Sequence, residues 1–136
     1  MKTTLMAIVL SVTTATSFIC TYFFNLTLHY GDQYLALCAV VLLDGFFGVI
    51  AGTKREGFQT CKAIKVLRTL VTWIVFLTVL LVVEKGFPAT GWLSETILFP
   101  FIVFQIMSAL KNAANAGFIK ADLLKQILEK FDKHKD

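Results

Sequence analysis

Residues 34–52 read YLALCAVVLLDGFFGVIAG, and this stretch decides the fold. It is one continuous apolar run with a single charge, Asp44, at its centre. Helical winding of a segment this long covers about 28 Å, close to one hydrocarbon thickness of a bilayer. The segment therefore reads as a membrane-spanning helix. Three further apolar blocks flank it, at about 4–28, 66–83 and 96–110. The whole chain has 136 residues, 57% hydrophobic and 16% charged. Its mean hydropathy is +0.73. A soluble domain keeps roughly a quarter of its residues charged. That solvent-facing surface is missing here, and the expected class is an all-α integral membrane protein with four spans.

The blocks differ in character. The first carries many hydroxyls, among them Ser11, Thr13, Thr14, Thr16, Ser17 and Thr21. They fit packing against other helices or, equally, bonding back to their own helix carbonyls. The block is too long for a signal h-region, and no small-x-small cleavage site follows it. It remains the weakest span by hydropathy; without it the topology becomes three spans with the N-terminus outside. A polar turn is expected at His29–Gln33, and a basic loop at residues 53–65. Gly86, Pro88 and Gly91 break the chain before the fourth block, which holds Pro100 near its start. Residues 1–110 form the expected membrane domain and residues 111–136 a tail. In that tail Ile119, Leu123, Leu124, Ile127, Leu128 and Phe131 recur at helical spacing, with Lys120, Asp122, Lys125, Glu129 and Lys130 opposite. This is an amphipathic helix too short and too charged to span.

Charge fixes the expected orientation. With the 53–65 loop inside, alternation gathers Lys2, Lys54, Arg55, Lys62, Lys65, Arg68, Lys111, Lys120, Lys125, Lys130, Lys133 and Lys135 on one side. The other side keeps Lys85 alone, with Asp32, Glu84 and Glu95. Lys and Arg collect on the cytoplasmic side, so both termini are expected there, with the amphipathic tail. The net charge of +4 serves topology and anionic lipid rather than nucleic acid, because no basic groove interleaved with aromatics is present.

No nucleophile–base pair and no metal-ligand spacing is visible, so neither a catalytic residue, a cofactor nor a metal is expected. Cys20, Cys38 and Cys61 fit no metal or redox motif and read as three free thiols. The informative residue is Asp44. A carboxyl near the bilayer centre costs about 2.5–3.5 kcal/mol on insertion scales. It therefore faces helices or water. Gly45, Gly48 and Gly52 share nearby turns with it, and Gly48-x-x-x-Gly52 is the spacing that lets helix backbones approach. These four residues are the candidate helix-packing and oligomerisation face, with Arg68 the candidate ion-pair partner of Asp44. The plainer alternative is an Asp that hydrogen-bonds within one bundle.

Two segments carry a family resemblance. The first is Leu42-Leu43-Asp44-Gly45-Phe46-Phe47-Gly48-Val49; the second is Phe104-Gln105-Ile106-Met107-Ser108-Ala109-Leu110-Lys111-Asn112-Ala113-Ala114-Asn115-Ala116-Gly117. Together, over roughly residues 36–130, they resemble the toxin-secretion/phage-lysis holins. Ser108, Asn112 and Gly117 match that pattern; Gln105 and Lys111 stand where acids are usual, and prolines expected after Gly117 are absent. The resemblance implies a non-enzymatic homo-oligomer in the lipids of the bacterial inner membrane. It would permeabilise that membrane and indirectly release an endolysin for host lysis. Met6 would offer a second start lacking Lys2. The alternatives are a small channel or transporter, for which one carboxyl is thin support, and a scaffold that docks a partner through its tail helix.

Overall fold

The computed structural model describes residues 1–57 and 59–133. Phe58, in the expected basic loop, and His134, Lys135 and Asp136, at the end of the expected tail, lie outside the described residues. Five α-helices occur among the described residues, and no strand does. They are α1 (Lys2–His29), α2 (Gly31–Glu56), α3 (Thr60–Gly86), α4 (Leu93–Asn115) and α5 (Ala121–Asp132). A 3₁₀ turn, Pro88–Thr90, lies between α3 and α4. The first four helices are long and apolar enough to cross a membrane, and the chain is a multi-pass membrane protein by that measure.

The helices overrun the apolar blocks. The expected turn at His29–Gln33 contracts to Tyr30, because Gly31 already begins α2. Within the expected 53–65 loop, Thr53–Glu56 and Thr60–Lys65 are helical. Polar residues beyond the hydrocarbon lose nothing by staying helical, so hydropathy marks the lipid boundary and not the helix end.

The chain divides into two compact units, Met1–Tyr34 and Leu35–Asp136. The first is essentially α1. Its hydroxyls turn inward on their own helix: Ser11 donates to the Ala7 carbonyl, and Thr13, Thr14, Thr16 and Thr21 each donate to the carbonyl four residues earlier. Back-bonding hides the hydroxyls from lipid without a partner helix.

The second unit contains the rest of α2 together with α3, α4 and α5. Helices α3 and α4 form an antiparallel hairpin. The Trp73 and Phe101 rings stack across it, with centroids 3.5 Å apart. Leu77, Leu80 and Leu81 from α3 and Leu98 from α4 are buried. At the turn, the Glu84 carboxylate accepts a hydrogen bond from the backbone N–H of Ser94. That satisfies one of the orphan donors in the first turn of α4 and places negative charge at the positive end of its dipole. α4 continues helical through Pro100, as membrane helices tolerate.

Candidate functional site

Asp44 lies midway along α2, and its partner is on α4. The Asn112 Nδ2 donates to Asp44 Oδ1 at 3.0 Å, and both residues are half-buried. An amide and a carboxyl that meet inside an apolar bundle satisfy each other where water is scarce. The alternative partner named from the sequence, Arg68, does not take this place. It is exposed on α3, and no ion pair joins it to Asp44 among the described residues. Val66, which faces α2, is two residues from Arg68. Positions two apart on a helix point in nearly opposite directions.

The glycines make room for this contact. Gly45 is buried against the Val66 side chain, so closely that a Cβ there would overlap the valine methyls. A Cβ at Gly48 would stand 3.3 Å from Asn112 Nδ2, and one at Gly52 would stand 2.9 Å from Lys62 Nζ. The strip thus receives α3 and α4 of the same chain. Ala109 and Ala113 on α4, and Ala116 just past its end, are buried as well. Small residues let helix backbones come close.

Around Asp44 and Asn112 lies a half-open cavity of about 310 Å³, lined also by Gly45, Gly48, Lys62, Lys65, Thr69 and Gln105. The polar groups of three helices therefore converge in one place. Towards the basic end of α2, a second cavity of about 200 Å³ shares Gly48, Lys62 and Asn112 with the first. Lys62 Nζ pairs with the Glu56 carboxylate at 3.1 Å. Glu56 lies beyond the apolar stretch of α2. The Lys62 hydrogen bond and charge, aided by the Arg55 charge, hold its carboxyl below the ordinary range.

The other residues of the second motif have separate places. Ser108 is half-buried one turn before Asn112 on α4. Gly117 has φ +87°, a left-handed conformation that glycine adopts without penalty. It ends α4 in a Schellman arrangement: the Phe118 N–H donates to the Ala113 carbonyl at 2.9 Å and the Gly117 N–H to Ala114 at 3.0 Å. Lys54, from the end of α2, donates to the Ala116 carbonyl, and the Phe118 ring packs on Phe47 with centroids 5.6 Å apart. Both contacts lock the end of α4 to α2.

After this stop α5 returns along α4. Phe131, Lys130 and Asp132 share a shallow groove of about 630 Å³ with Phe99, Pro100, Val103, Phe104 and Met107. Ile119, Leu124, Ile127 and Leu128 are half-buried, and Leu123 and Phe131 more exposed. The residues that sequence reasoning left out are Lys54, Lys62, Lys65 and Thr69. The three lysines carry a signal in the sequence, since lysine just beyond a span can reach back along it; Thr69 carries none.

No curated protein and no solved structure matches the chain. The sequence model of the bacteriophage holin family does match it, over residues 19–133. The match takes in α2 to α5, including the Asp44–Asn112 contact and the Gly117 stop. The chain belongs to the bacteriophage holin family.

Proposed function

We propose that this chain gathers in the inner membrane of a bacterium, associates with copies of itself and at a set time permeabilises the membrane. An endolysin then reaches the wall and the host lyses. The action is mechanical and involves no catalysis. The observation that carries this reading is the family match, which spans the polar contact buried between apolar helices. Polar groups held in hydrocarbon are costly unless paired or hydrated, and they commonly mark association surfaces or water-filled paths. In this reading the Asp44–Asn112 contact keeps the single chain closed, and its exchange between chains accompanies assembly.

The orientation belongs to the same proposal: both termini cytoplasmic, as the Lys and Arg asymmetry favours. The tail then lies at the headgroup level of the inner leaflet. A charge at the depth of Phe104 would cost about 2.5–3.5 kcal/mol. Lys130 and Asp132 line the groove with that residue, so the surface is the cheaper place for α5 in a bilayer.

Induced expression in a bacterium, followed with a potential-sensitive dye, tests the proposal. Growth should continue for an interval, and the potential should then collapse abruptly across the culture. Undisturbed growth with the protein abundant in the membrane would refute permeabilisation and leave a scaffold that works through α5.

A further inference from the structure

We propose that the slot between α2, α3 and α4 binds the phosphate of an anionic glycerophospholipid headgroup. Two joined cavities of about 310 and 200 Å³ form the slot, with Lys62 and Asn112 common to both. Cations line it from two helices: Lys62 and Lys65 on α3, and Arg55 on α2. The carboxylates lining it, Asp44 and Glu56, are each engaged, the first by Asn112 and the second by Lys62. Among the described residues Lys65 and Arg55 take part in no ion pair. Cationic charge is thus left over where a helical membrane protein meets the headgroup layer.

The rest of the lining suits such a ligand. Asn112, Asn115 and Gln105 offer neutral donors for phosphate and glycerol oxygens. Val41, Val49 and Val66 provide an apolar wall deeper in the bundle. Asp44 lies eleven residues before Arg55 on α2, about 16 Å by helical rise. The basic residues, and not Asp44, therefore set where an anion sits, at the shallow end. The slot is half-open, so the acyl chains remain in the bilayer. Basic pockets between membrane helices take anionic headgroups in this way. A free phosphate ion offers the same chemistry to the lysines, but it makes no use of the valine wall.

Lipid retention tests the assignment. The protein is reconstituted in mixed phosphatidylglycerol and phosphatidylethanolamine bilayers and extracted into mild detergent. Native mass spectrometry then counts the lipids it keeps. Wild type should retain phosphatidylglycerol in preference. Lys65→Gln should weaken retention roughly fivefold, the effect of one cation near a headgroup. Arg55→Gln, in the adjoining cavity, should do the same, and Lys65→Arg should restore retention. Lys85→Gln removes the same charge from the opposite end of α3 and should leave retention unchanged. No preference between the two lipids, or an equal loss with Lys85→Gln, would overturn the site. Displacement of the lipid by added inorganic phosphate would overturn the lipid assignment in favour of the free ion.

Discussion

A carboxyl at the middle of a span must find a partner, and the partner decides what it does. Asp44 finds Asn112. The bond is charge-assisted when the carboxyl is ionised, a class worth about 1.5–3 kcal/mol in water-soluble proteins. Measured couplings between polar side chains in membrane helices are smaller, averaging about 0.6 kcal/mol. A double-mutant cycle with Asp44→Ala and Asn112→Ala should therefore give a coupling of roughly 0.5–2 kcal/mol in detergent unfolding. Strict additivity would mean that the two residues do not stabilise each other. The need for a partner was legible in the sequence, because an isolated Asp stands out in an apolar run. The identity of the partner was not. Arg68 has the more obvious charge, but its helical phase carries it away from α2. Asn112 offers no charge to attract notice, and only the close passage of α2 and α4 brings it into range.

At the scale of elements, the bundle depends on side chains that are absent. The glycine strip of α2 was visible as a spacing, and so was its role in close approach. Which helices occupy it could not be read, since a small-residue face fits a neighbour in the same chain or in another. In the structure Val66 and Asn112 fill it. A stiff β-branched valine cannot swing aside at Gly45. Gly45→Ala should accordingly lower stability by about 1–3 kcal/mol through overpacking, more than the gain in helix propensity of about 1 kcal/mol. Val66→Ala in the same chain should recover most of the loss. Unchanged resistance to denaturing detergent in the single variant would contradict this packing. The hydroxyls of α1 show the converse limit. Their number fits partner helices and back-bonding equally, and Ser11, Thr13 and Thr14 are each satisfied within one turn of their own helix. Composition does not separate these two outcomes, because both bury the same donors.

For the whole molecule, apolar blocks marked the four helices long enough to span, and charge asymmetry is the ground for the proposed orientation. Short motifs pointed to the family that the match over residues 19–133 then established. The ends of the helices were less legible, as α2 and α3 carry their winding past the apolar region into the basic segment. That continuation is what lets Lys62 and Arg55 line the slot. Far apolar surface remains outside the packed units: Leu42, Phe46, Leu67 and Val71 are all exposed. Lipid can cover these positions, and so can neighbouring chains once the protein is concentrated in the membrane. The proposed function needs the second arrangement. Chemical crosslinking of bacterial membranes, sampled through induction until the membrane potential is lost, tests it most directly. The account predicts a ladder that grows past the dimer before the collapse. A chain that is still monomeric when the potential falls would contradict it.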